Sequence, residues 1–306
     1  MNCNPHYTLP INHLSFSAMR DYLSDRAKFE RQYIRLEYDT GGTPFAVALG
    51  SAFHKGVETL WQDSDPYRHE VLMRAKYVAD EYLARIEHET KYGKTQSIDG
   101  GIQTVRKALS TYYENCMGSL GADGTGKRQP IGVEVGGLTD IFHPDTGEIY
   151  VVPLKCKIDQ IFDDPDWGLV PVDSKLVSTI IPPDAPPPPA YELQAVAVYF
   201  MTKSLHPNRK VAPLVIFEQV SKTATPKVAR LVVDITDTRI RRFSYIFGAI
   251  INDLTMHYHS PSYDPSDPTR VPFLPNPFAD FGGAESWEDY TFVCDGGKAL
   301  AKPADI

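Results

Sequence analysis

The fold of this chain is restricted most by a change of period near residue 130. Before it, apolar residues recur at helical spacing. After it, the runs 132–138, 149–162 and 169–177 alternate apolar and polar positions, as half-buried strands do. The links between these runs, His143–Gly147 and Asp163–Gly168, are dense in turn residues. Connections that short join neighbouring strands of opposite direction, so the spacing predicts an antiparallel meander. The stretch Ile181–Pro189 is proline-dense and reads as a stiff extended loop. A helix over 190–202, strands over 212–220 and 229–235, and a long helix over 236–257 follow.

In the first part, Ser15 can cap a helix and Leu14 can staple onto Met19. Phe16, Met19, Leu23, Tyr33 and Ile34 carry that helix onward until Thr40–Pro44 breaks it. Further helices are predicted over 46–62, where Phe53, Val57, Leu60 and Trp61 share a face, and over 66–89 and 102–117. The expected architecture is α/β, a mixed sheet flanked by helices with an N-terminal helical cap. It divides as 1–128 for the cap carrying His54, 129–259 for the core, and 260–306 for an irregular tail rich in Pro, Gly and acid.

Composition narrows the class. With 306 residues, 42% of them hydrophobic and 23% charged, the chain suits an ordinary globular protein. No apolar run approaches the ~18 residues of a membrane span, and Met1–Pro5 has neither a basic nor an apolar leader region. A cytoplasmic protein with no membrane partner is expected. Cys3, Cys116, Cys156 and Cys294 are far apart and read as free thiols. The formal net charge of −8 is awkward for a nucleic-acid partner, because phosphate binding draws on Lys and Arg. Basic residues nevertheless gather in Arg20–Arg35, Lys203–Lys210 and Arg239–Arg242. Such strips suit either a cleft that tracks a phosphate backbone or ordinary solvated helix faces.

The chemistry lies in polar residues on the predicted strands and helices: His54, Glu134, Asp159, Asp173, Ser174, Lys175 and Gln194. Strand side chains alternate, so Asp173 and Lys175 point one way and Ser174 the other. If Asp159 faces the same side, two carboxylates and an ammonium share a cleft. Hard oxygen ligands suit Mg²⁺ or Mn²⁺, and an added His54 nitrogen fits Mn²⁺ better. A cation held there can neutralise a phosphodiester and acidify a water, and Lys175 can stabilise the developing charge. The competing reading of Asp173 and Lys175 is a plain salt bridge, and that of His54 a satisfied core histidine.

Five patches in order, 14–23, 49–54, 154–159, 172–175 and 191–194, resemble the RecB-like branch of the PD-(D/E)XK nuclease superfamily. That branch includes CRISPR-associated RecB-like exonucleases and phage recombination exonucleases. The resemblance implies a restriction-endonuclease-like core, with His54, Asp159 and Asp173 as metal ligands and Lys175 as catalytic. It implies that Gln194 contacts substrate and that Glu134 fills an acidic position used at the site in some relatives. The family pattern Gln-x-x-x-Tyr has Val198 at its last place here. Tyr199, one residue later, is the candidate substrate contact, turned by ~100° around the helix. Many relatives carry an iron–sulfur cluster on four cysteines. This chain has Asp25 at the first of those positions and only Cys294 in the tail, so no cluster is expected.

The expected function is therefore divalent-metal-dependent cleavage of DNA, exonucleolytic, in phage or bacterial recombination, repair or defence. Any helicase or recombination partner would be a separate protein. Two alternatives stand beside it: a catalytically inactive nuclease-fold module for binding or assembly, and a structure-selective endonuclease. Gly121–Arg128 nearly spells a phosphate-binding loop, but Arg128 replaces the required Ser or Thr and the loop follows a helix, so it reads as a turn. No Gly-x-Ser-x-Gly elbow of a serine hydrolase occurs.

Overall fold

The computed structural model describes residues 9, 11–34, 45–63, 68–89, 98–117 and 129–258. The predicted break at Thr40–Pro44, the turn at 121–128 and the tail from 260 lie outside these residues. The chain opens with a short strand β1 (Leu14–Ser15), then α1 (Phe16–Ser24), α2 (Arg26–Phe29) and a π-helical turn (Glu30–Ile34). The helices α3 (Phe45–Gln62), α4 (His69–Glu89) and α5 (Ile98–Tyr112) follow, the last ending in a π-helical turn (Tyr113–Met117). The strands β2 (Gly132–Thr139), β3 (Leu154–Asp164) and β4 (Gly168–Val177) come next, then α6 (Pro189–Leu205), β5 (Leu214–Ser221), β6 (Val228–Asp234) and α7 (Asp237–Tyr258).

Two local expectations are corrected. The predicted helix from Ser15 through Ile34 is interrupted at Asp25, which is extended at φ −153° and ψ 93°. Its carboxylate accepts the Lys28 N–H at 2.9 Å and so caps a new helix instead of continuing the old one. The strand expected to begin at 149 begins at Leu154. Ile149 makes only an isolated bridge to Phe142, and Ile149 and Val151 are exposed, so the alternation there does not mark a buried face. Pro153 also lacks the N–H that a ladder needs.

The sheet has six strands in the order β1-β3-β4-β5-β6, with β2 on the other side of β3. The β2, β3 and β4 ladders are antiparallel, as the short links predicted. β4 and β5 run parallel, joined through α6, and β1 runs parallel to β3. Leu14, expected to staple a helix, is thus a strand residue facing Leu154. One face of the sheet packs on α1, α6 and α7 around Phe217, Phe243 and Phe247. The other packs on α3, α4 and α5, where Phe53, Leu60 and Leu109 meet Phe162, Val172 and Leu176. Each such large side chain contributes roughly 1.5–3 kcal/mol on burial. Among the described residues, no helix is long and apolar enough to cross a membrane.

Candidate active site

The site forms where β3 loses its neighbour. On one side of β3, the β1 ladder ends at Ser15↔Lys155 and the β4 ladder starts only at Gln160↔Val172. In the gap, the Ser174 N–H finds no strand carbonyl and donates to Asp159 Oδ2 at 2.9 Å. The alternation of β3 slips at the same point. Leu154, Cys156 and Ile158 share one core with Ile161, while Phe162 belongs to the other. Across β3, Val133↔Gln160 and Val135↔Ile158 leave Glu134 opposite Asp159. Glu134 is the one non-glycine among the described residues at positive φ, 54°. A left-handed glutamate costs of order 1–3 kcal/mol and persists only where its surroundings enforce it.

These distortions converge three side chains. Asp159 Oδ2 lies 3.1 Å from His54 Nδ1, brought in by α3. One ligand atom each from His54, Glu134 and Asp159 lie within 4.8 Å of one another. Octahedral coordination at ~2.1 Å puts cis donors ~3 Å and trans donors ~4.2 Å apart, so this spread fits one small cation after slight closure. Lys157 also meets the Glu134 carboxylate.

Asp173 and Lys175 share one side of β4, with Lys175 Nζ 2.6 Å from Asp173 Oδ1. Asp173 Oδ2 accepts from Gln194 Nε2 of α6 at 2.7 Å. Asp173 Oδ1, buried beside the cluster, has the Lys175 ammonium as its partner among the described residues. Ser174 points to the opposite side, 3.3 Å from both the Tyr112 hydroxyl and Gln160 Oε1.

The two aspartates are driven apart electrostatically. Burial pushes Asp159 up, but His54, then Lys175 and the Ser174 N–H, outweigh it and hold the carboxyl below its ordinary value. Burial also pushes Asp173 up, and the Asp159 charge adds to it, so Asp173 lies above its ordinary value despite Lys175. Burial would lower Lys175, yet Asp173 and Asp159 raise it, keeping it an ammonium at neutral pH. Burial likewise works against protonated His54, and Asp159 reverses the sign, leaving the imidazole above its ordinary value. Acidic groups pushed in opposite directions within one cleft mark a functional centre more often than a structural ion pair.

The structure does not bring Tyr199 to this group. Its ring packs beside Phe200 at 6.3 Å and under Lys203 Nζ at 5.5 Å, as the one-residue displacement around α6 dictates. Two residues given no role in the sequence reading stand close instead, one of them within the patch 191–194. Tyr191, one helical turn before Gln194, packs on Phe217 at 4.7 Å, and its phenol is coupled to Lys175 and Asp173. Its signal was the i,i+3 spacing from Gln194. Lys157 gave no signal, because an exposed lysine on a strand is ordinary.

A family model, the PD-(D/E)XK nuclease superfamily, matches residues 13–247. The crystal structure of a proposed exonuclease from Eubacterium rectale superposes with a TM-score of 0.50 at 12% identity, covering 92% of this chain and 98% of that one, which bears on the fold alone. The structure of SSO0001 aligns at a TM-score of 0.29 and 10% identity, over 80% of this chain and 86% of that one. No curated protein is a significant match. The six-stranded mixed sheet flanked by helices agrees with the restriction-endonuclease-like fold. With its family match spanning most of the sequence, the chain belongs to the PD-(D/E)XK nuclease superfamily, a family of divalent-metal-dependent phosphodiesterases that act on DNA.

Proposed function

We propose that this protein is a DNA exonuclease of the RecB-like branch that uses Mg²⁺ or Mn²⁺. The observation that carries the reading is the meeting of His54, Glu134 and Asp159 at the fork of β3 and β4, with Asp173 buried and Lys175 half-buried alongside. His54, Asp159 and Asp173 are the proposed ligands, and Glu134 joins them from the opposing strand. When bound, the cation supplies positive charge to the scissile phosphate and acidifies water. Lys175 holds its proton and faces the same phosphate, where an ammonium is worth most in a water-poor cleft. Gln194 keeps Asp173 in one rotamer through its 2.7 Å bond, and its carbonyl remains free for substrate. The imidazole nitrogen among the carboxylate oxygens favours Mn²⁺ over Mg²⁺.

The helical layer α3–α5 lengthens the path to the site and suits threaded strands, which supports exonuclease action over a resolvase-like one, and the Eubacterium rectale protein of similar fold is itself described as a proposed exonuclease. A role in recombination, repair or defence in a bacterial or phage-infected cytoplasm follows from the RecB-like patches, with any helicase a separate partner. The three-part division remains part of the proposal, with α3–α5 as the cap proper, because β1 and α1 pack with α6 and α7.

The test is a nuclease assay across Mg²⁺ and Mn²⁺ on linear and circular DNA. Linear substrate should be consumed and closed circles spared. Asp173→Ala and Lys175→Ala should each lower the rate by at least ~10²-fold while circular dichroism stays native. Full activity in either variant rejects the site, and equal cleavage of circles rejects the exonuclease.

A further inference from the structure

A cavity of about 670 Å³ opens from the site, with Glu134 and Gln194 in its wall. Its far side is the start of α1, Ser15 to Ser17, and its charged lining is Lys155 and Lys157 from β3, with Glu134 as the single carboxylate. Part of the floor is bare backbone. A Cβ on Gly136 would sit 2.4 Å from the Cys156 carbonyl, and a Cβ on Gly137 would meet nothing nearer than Met201 Sδ at 4.0 Å. Phe16 and Tyr33 bring aromatic rings to the same space.

Lys157 meets Glu134, so Lys155 is the lysine here that differs from the cations of the basic strips seen in the sequence. Arg239 and Arg242 pair with Glu192, Arg241 with Asp145, and Arg209 with Asp163. Lys28 and Arg20 pair with Asp21, and Arg26 with Asp253. Those seven side chains are paired with carboxylates within the fold, whereas Lys155 is exposed at the mouth of the cavity. A groove that joins ammonium groups to aromatic faces binds an unpaired strand, since stacking requires free bases. The volume suits about one or two nucleotides.

We propose that this cleft is a subsite for a single nucleic-acid strand, holding the phosphate next to the scissile one against Lys155 and Ser17, with an unpaired base against Phe16. The inference rests on the nuclease reading for its register, but its test does not need turnover.

Binding of a fluorescein-labelled oligothymidylate to the full chain is measured by anisotropy in Ca²⁺ over a range of salt. Lys155→Ala should weaken binding several-fold and lower the magnitude of the log–log salt slope by about 0.7, one phosphate contact on a single strand. Phe16→Leu, which keeps apolar volume, should weaken binding with the slope unchanged. Lys203→Ala on α6 is the control and should match wild type. An unchanged slope in Lys155→Ala, an equal effect of Lys203→Ala, no binding by wild type, or equal affinity for the matching duplex each overturns the subsite. Lys155-dependent binding by a protein that cleaves nothing keeps the subsite and rejects the nuclease. Cleavage that is indifferent to Lys155 and Phe16 does the reverse.

Discussion

Asp159 and Asp173 carry the same functional group on adjacent strands, yet the fold gives them opposite acidities. Asp159 is satisfied by an imidazole and a backbone N–H, while Asp173 faces burial and a neighbouring negative charge. The consequence is a proton inventory that a metal must displace. Protonated His54 and Asp173, both above their ordinary values, compete with a cation for the same atoms. Apparent Mn²⁺ affinity should therefore rise with pH and keep rising beyond the ordinary histidine value. Titration calorimetry between about pH 6 and about pH 8 checks this, with proton release on binding. In His54→Ala the dependence should flatten. Affinity that falls as pH rises would contradict the ligand set. Glu134 adds the backbone side of the same point: its positive φ aims a carboxylate that a regular strand would carry elsewhere.

At the scale of elements, the site depends on where ladders stop. β3 and β4 are held together at one end by a turn in which Asp164 Oδ1 accepts the Asp166 and Trp167 N–H groups. Gly168 closes that turn at φ 83°, and a Cβ there would lie 2.4 Å from the Lys210 carbonyl. Gly168→Ala should destabilise the protein by about 1–3 kcal/mol, since it adds left-handed strain to a backbone clash. Urea unfolding measures this, and a loss under ~0.5 kcal/mol would mean that the turn relaxes freely. The proline-dense segment is likewise anchored. Gln219, buried beside Lys175 in the β4–β5 register, accepts the Ile181 N–H at 3.0 Å and donates to the Ile181 carbonyl at 3.1 Å. That amide clamp ties the start of the loop to β5.

Across the whole molecule, one sheet serves two cores and a polar chain stitches the helical layer to the strands of the candidate site. Trp61 Nε1 of α3 donates to the Tyr112 hydroxyl at 3.0 Å, and Tyr112 reaches Ser174 of β4. Because α3 also carries His54, this contact helps to set the helix against Asp159. Tyr112→Phe strands the buried Trp61 N–H and should lower stability by about 1–3 kcal/mol in a urea or thermal unfolding measurement. A change within experimental scatter would show that the layer is held by its apolar contacts alone.

The alternation that pairs Asp173 with Lys175, the antiparallel meander, the long helices and the helical position of Gln194 were all legible in the sequence, because each depends on neighbours a few residues apart. The break at Asp25 and the late start of β3 were not, since both turn on which partner a backbone N–H finds. The same holds for the meeting of Glu134 with His54 and Asp159, and for the ion pairs that Arg209, Arg239, Arg241 and Arg242 make. Those outcomes were decided by tertiary structure, where strands paired far apart in the chain leave a gap at residue 159 and ion pairs form between segments that local periodicity cannot see.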